Sequence, residues 1–221
     1  MEDRGRVADE TELRKAYPPV VERARLKTQV KLDKHCLNFI ARSPFVCLGT
    51  SSERGADVTP RGDEPGFVLV LDDTTLAIPD WPGNNRLDSL SNILLNSRVG
   101  LLFLIPGVEE TLRINGTAEI STSAELLERW QRNGKRPRAV LVVTIREAFL
   151  HCGKALIRSR LWKNDYKIDR AELPPYGHIL KTRSSQAKRL SRLKPRFRTD
   201  TRTGCTDARY AFTVVKLEET V

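Results

Sequence analysis

The sequence reads as a mainly β protein: an antiparallel barrel of six or seven short strands with helices at its rim. Apolar runs of strand length recur from Phe45 onward, and the gaps between them carry Gly, Pro, Asp or Asn in turn-forming combinations. Between Phe45 and Leu150 only two segments have helical periodicity, and no internal repeat is present. With 221 residues, 39% hydrophobic and 30% charged, the chain can bury one sizeable core and still face water.

The elements follow in order. Ala8–Ala16 and Val21–Lys27 have short helical patterns, separated by Tyr17-Pro18-Pro19. Asp33 is placed to cap a helix through Ile40, with Leu37 and Ile40 on one face, and Ser43-Pro44 ends it. Phe45–Ser51 is a strand, Glu53-Arg54-Gly55 a turn, and Asp57–Pro60 its hairpin partner. Phe67–Leu71 and Thr75–Ile78 flank a turn at Asp72-Asp73, so these four strands are expected as one antiparallel meander. A helix is expected from about Asn85 to Leu95, with Leu87, Leu90 and Leu94 as its apolar stripe and Ile93 beside it. Val99–Ile105 and Thr111–Ile120 are the next strands. A helix over Ala124–Gln131 follows, capped by Ser123 or Ser121 and closed by Asn133-Gly134. Ala139–Leu150 is the last strong strand, a helix over Lys154–Trp162 follows it, and Tyr210–Leu217 can add an edge strand. Three regions result: a polar extension over 1–30, a barrel domain over 31–180 and a basic tail over 181–221, possessing little periodicity and expected to be partly disordered.

Charge and composition narrow the function classes. No run approaches the roughly 18 apolar residues that a membrane-spanning helix needs. The charged stretch Met1–Lys15 has no signal-peptide core, which predicts a cytoplasmic protein. The net charge of +10 resides mostly in Lys181–Arg209, where ten Lys and Arg face two Asp. Nucleic-acid binding is therefore a property to expect of the tail and not of the core, and Phe197 alone there offers a stacking surface. Cys36, Cys47, Cys152 and Cys205 form no C-x-x-C pair, and His35-Cys36 and His151-Cys152 are neighbours that point apart, so no metal site is assigned.

Three stretches carry ligand chemistry. In Ile78-Pro79-Asp80-Trp81-Pro82-Gly83-Asn84-Asn85-Arg86-Leu87-Asp88-Ser89 a strand ends in a Pro/Gly turn and an Asn-Asn-Arg run leads into a helix. Helix N-termini present unpaired N–H groups, and Arg86 adds a planar fork of donors; both suit phosphate. The same residues also read as a plain helix cap with a solvated arginine. Thr59-Pro60-Arg61-Gly62-Asp63 offers a second cation beside a glycine, or simply a surface turn with an Arg–Asp pair. In His151–Trp162, Lys154, Arg158 and Trp162 recur at helical spacing, which would put two cations and an indole on one face. An exposed basic face with Trp162 as a packing anchor accounts for the same spacing.

The order of these motifs resembles a known family. Arg61-Gly62-Asp63, Pro65-Gly66-Phe67-Val68, Ile78-Pro79-Asp80, Pro82-Gly83-Asn84-Asn85-Arg86, Val99–Gly107, Glu110–Gly116 and His151-Cys152-Gly153-Lys154-Ala155 together resemble a bacterial subfamily of the pyridoxamine 5′-phosphate oxidase class, over about Asp33–Leu180. The resemblance implies an FMN-binding split β-barrel, a homodimer with flavin at the subunit interface, and an FMN-dependent oxidoreductase acting on a small molecule, with a nicotinamide as reductant. By position it implies Arg61 at a strand end, Ile78, Pro79 and Asp80 along the flavin, and Asn85, Arg86 and Ser89 nearest the phosphate. Lys154, Arg158 and Trp162 would form the closing wall, contributed by the partner subunit. No catalytic residue is assigned, and the C-terminal Trp and Arg segment that holds pyridoxal phosphate in the authentic oxidase is missing. A flavin carrier without turnover, or a barrel holding a deazaflavin or haem, uses the same sites.

Overall fold

The computed structural model describes residues 5–20, 22, 27–131 and 134–192, without side chains for 186–192. Seven antiparallel strands form one sheet: β1 (Phe45–Ser52), β2 (Gly55–Gly62), β3 (Leu69–Asp72), β4 (Thr75–Asp80), β5 (Arg98–Leu104), β6 (Thr111–Ser121) and β7 (Ala139–His151). Their order across the sheet is β2-β1-β5-β6-β7-β4-β3. The helices are α1 (Glu10–Lys15), α2 (Lys34–Arg42), α3 (Asp88–Leu95), α4 (Ala124–Glu128), α5 (Lys154–Ser159) and α6 (Tyr176–Arg192). The chain divides into two compact units, the first ending at Lys167 and the second beginning at Ile168. No helix among the described residues is long and apolar enough to cross a membrane.

The expected mainly β, antiparallel class is what the sheet shows, but its connectivity differs from a meander. β1–β2 and β3–β4 are separate hairpins at opposite edges, and β5, β6 and β7 fill the space between them. The reason lies in β7. Its 13 residues pair with β6 on one side and, through Ala139–Thr144, with β4 on the other, so the second hairpin is held away from the first. The edge strands β2 and β3 do not pair with each other, so the sheet is not closed by hydrogen bonds.

Alternation places the core. Val46 and Leu48 of β1, Leu101 and Phe103 of β5, Leu112 and Ile114 of β6, and Leu141 and Val143 of β7 point inward, against Phe39 and Ile40 of α2 and Ile93 of α3. β4 is buried on both faces: Leu76 and Ile78 join this core, while Ala77 joins Leu127, Trp130 and Val140 under α4. The Trp130 Nε1–H is satisfied by the Phe67 carbonyl at 2.8 Å. A bulge at Asn115/Gly116 lets β6 bend against β7, and it requires glycine: a Cβ on Gly116 would lie 2.2 Å from the Thr144 carbonyl oxygen.

α2 begins where expected, with the Asp33 carboxylate accepting from the backbone N–H groups of His35 and Cys36 at 3.0 and 2.8 Å. Other helices correct the expectations. α3 starts at Asp88 and not at Asn85, because Asn85 and Leu87 adopt left-handed backbone (φ 57° and 59°), which a helix cannot include. Its buried face is Ser89, Asn92 and Ile93, with Leu90 packed partly against the core, whereas Leu87 and Leu94 of the expected stripe are 52% and 76% exposed. α4 ends at Glu128, and neither serine caps it by a side-chain bond to the helix; the Ser121 hydroxyl accepts from the Ser123 N–H instead. α5 ends at Ser159 because Arg160 turns left-handed (φ 53°), so Trp162 shares no helical face with Lys154 and Arg158. α6 continues through Lys181 to Arg192, giving helix to the first part of the expected tail. The expected helix over Val21–Lys27, Asn133, Cys205 and the Tyr210–Leu217 strand lie wholly or mainly outside the described residues.

Candidate functional site

A cleft of about 520 Å³ opens between β2, the C-terminal end of β4, the connection Trp81–Leu87 and the first turn of α3. It exists because β2 is an edge strand and because the two left-handed residues fold the Trp81–Leu87 connection back before α3 begins. Arg61, Asp80, Asn85, Arg86 and Ser89 all line it. Residues 61, 80 and 85–89 are thus brought together from three separate elements. Ile78 and Pro79 are buried in β4 and do not line the cleft; Ile78 is committed to the core by the strand's alternation. Lys154, Arg158 and Trp162 do not line it either. The Trp162 indole N–H is already spent on the Val108 carbonyl at 2.8 Å.

The polar groups of the cleft divide into engaged and unspent. Asp80 is paired with Arg61, Asp88 accepts from Arg86 Nε at 2.7 Å, and Asp57 accepts from the Ser89 hydroxyl at 2.6 Å. Each carboxylate therefore has a donor of its own. The Arg61–Asp80 pair is largely shielded, with 19% and 12% of the two side chains exposed. The Asn84 side-chain oxygen accepts from the Arg86 N–H at 3.1 Å, which shapes the turn before α3. Leu87, at the N-cap of α3, provides no side-chain cap to the first-turn N–H groups.

Left over are donors. Among the described residues, Arg61 Nε and Trp81 Nε1 are buried without a hydrogen-bond partner, and Arg138, at the foot of β7, lines the cleft with no ion pair. Buried N–H groups without partners cost about 1–3 kcal/mol each, and both of these belong to residues that line the cleft. Arg61, Arg86 and Arg138 are matched in number by Asp57, Asp80 and Asp88, so the cleft has no net charge; what remains over is N–H donors, which suit the oxygens of a phosphate group. Trp81, Asp57 and Arg138 were not among the residues expected at the site. Trp81 lies within the Pro79–Gly83 turn and was legible there; Arg138 reaches the cleft only through the β4–β7 pairing, which no local pattern encodes.

The sequence profile of the pyridoxamine 5′-phosphate oxidase family matches residues 32–152, more than half of the chain. The chain belongs to this family. The matched region contains all seven strands and every residue lining the cleft, and it ends before Lys154, Arg158 and Trp162. No curated protein matches the chain. Among solved structures, HupZ of Group A Streptococcus is similar at 18% identity and a TM-score of 0.45, over 54% of this chain and 93% of HupZ. A protein from Lactobacillus delbrueckii, provisionally named a pyridoxamine 5′-phosphate oxidase, is 24% identical with a TM-score of 0.44, over 55% of this chain and 95% of the other. An FMN-binding protein from Syntrophomonas wolfei is 13% identical with a TM-score of 0.40, over 51% of this chain and 80% of the other.

Proposed function

We propose that the cleft holds FMN by its phosphate and that the protein is an FMN-dependent oxidoreductase acting on a small molecule. The observation that carries this reading is the donor surplus: three satisfied carboxylates beside Arg138, Arg61 Nε and Trp81 Nε1. Arg86 and the first-turn N–H groups of α3 add to the phosphate cradle, with Asn85 setting the turn and Ser89 fixed against Asp57. Family membership supports a flavin as the phosphate's bearer. When bound, FMN supplies the electron transfer, and the side chains of the cleft bind and orient it. A nicotinamide is the proposed reductant.

A homodimer completes the reading. Lys154 and Arg158 lie outside the cleft of their own chain, on an exposed helix after β7, where a partner copy can receive them. The test is a titration of flavin-stripped full-length protein with FMN and with riboflavin, read by quenching of flavin fluorescence. Charge-assisted bonds are worth about 1.5–3 kcal/mol each, so FMN is expected to bind at least about 100-fold more tightly than riboflavin. Arg138→Gln and Arg86→Ala weaken FMN and leave riboflavin unchanged. Equal affinity for the two flavins contradicts the phosphate role of the cleft.

A further inference from the structure

A second cavity, of about 460 Å³, lies on the outer face of the sheet where β1, β5, β6 and the start of α5 meet. Its floor is the pair Gly49 and Gly100, directly opposite each other on β1 and β5. Two glycines in register leave a hollow that side chains would otherwise fill. Leu102 and Leu156 make apolar walls. Cys47 joins them, and burial pushes its thiol up, so it stays protonated and behaves as an apolar group.

Two polar groups face this apolar hollow with unspent capacity. The Arg113 guanidinium packs 5.1 Å from the centroid of Phe149 and has no carboxylate partner among the described residues. His151 Nδ1 is buried with no hydrogen-bond partner among the described residues. Lys27 sits on the same Phe149 ring, also at 5.1 Å, so the rim is cationic. Burial, then the charges of Lys27 and Arg113, holds His151 below its ordinary range and favours the neutral imidazole. Two acids lie nearby without lining the cavity: Glu147, which accepts from the neutral Asn115 amide, and Glu109, which packs behind Gly153 with its Oε2 buried and no hydrogen-bond partner among the described residues. Val58, 71% exposed on β2, lines both this cavity and the phosphate-binding cleft.

We propose that this cavity is the substrate pocket and that it takes a small carboxylate with an apolar body, the carboxylate on Arg113 beside His151 and the apolar part over Gly49 and Gly100. The assignment as a substrate pocket rests on the flavin reading of the adjoining cleft; the carboxylate site itself does not. A bidentate arginine matches a carboxylate, His151 lines the cavity beside it, and the glycine floor admits a flat ring or a short chain.

The experiment uses full-length protein and ligand-detected NMR with benzoate, phenylacetate and hexanoate, each beside its neutral amide. At least one carboxylate is expected to bind with its amide weaker by about tenfold or more, the discrimination of one charge-assisted pair. Arg113→Gln reduces carboxylate binding by a similar factor, Ala155→Trp blocks the mouth and abolishes it, and Lys31→Gln, a distant charge change, leaves it unaltered. Binding by none of the three acids, equal binding of acid and amide, or indifference to both Arg113→Gln and Ala155→Trp overturns the proposal. Flavin content measured on the same samples separates the two claims: carboxylate binding without flavin refutes the oxidoreductase reading and keeps the anion site, and flavin without carboxylate binding does the reverse.

Discussion

Replacing Arg61 by methionine removes the partner of a carboxylate that has little access to water. Asp80 ends β4, its backbone is fixed by pairing with Ala139 and by the Arg138 N–H at 2.9 Å, and only 12% of its side chain is exposed. It cannot swing out to solvent without breaking the end of the strand. Removing one partner of a fully buried pair costs about 3–5 kcal/mol; allowing for the partial exposure here, about 2–3 kcal/mol is expected. For a protein of this size that is a fall in Tm of roughly 5–10 °C. Urea denaturation of the flavin-free protein, followed by tryptophan fluorescence, measures it directly. The same substitution combined with Asp80→Leu removes the stranded carboxylate and regains about 1 kcal/mol or more. A single variant within about 0.5 kcal/mol of the parent, or a double variant less stable than the single, refutes the claim that this pair is a shielded one.

Three further outcomes follow from the geometry. Gly116→Ala drives a Cβ into the Thr144 carbonyl inside the β6–β7 pairing, and a loss of about 3 kcal/mol is expected in the same urea assay. Asp33→Ala removes the α2 cap and costs about 1 kcal/mol at neutral pH. The Cys36 backbone N–H holds the Asp33 carboxyl below its ordinary 3.8, so this contribution is present above that value and is lost as pH falls through the lower folded one; the gap between parent and variant closes in acid. Cys36 is buried and its thiol is pushed up to about 11, first by burial and then by Asp33, whereas Cys152 is exposed; iodoacetamide mapping by mass spectrometry is expected to label Cys152 in the native protein and Cys36 only after unfolding.

The strands were legible because each alternates or runs apolar between turn residues, and all seven begin within two residues of their expected starts. Their order was not, since the register that joins β4 to β7 depends on contacts between residues 59 to 69 positions apart. The same long-range pairing carries Arg138 into the cleft. Helix limits failed where non-glycine residues turn left-handed: Asn85 and Leu87 delay α3, and Arg160 ends α5, none with a glycine to announce it. The cleft itself was legible in part, because Arg61, Asp80, Asn85, Arg86 and Ser89 lie in motifs that end strands or precede a helix. Ile78 was drawn into the expected site by its neighbours, although its place in a strand buried on both faces commits it to the core.

The most direct test of the central claim is the visible absorption spectrum of the freshly purified full-length protein, with chromatography of whatever heat denaturation releases. The account predicts flavin bands near the visible blue and release of FMN. A colourless protein that takes up no added FMN contradicts it.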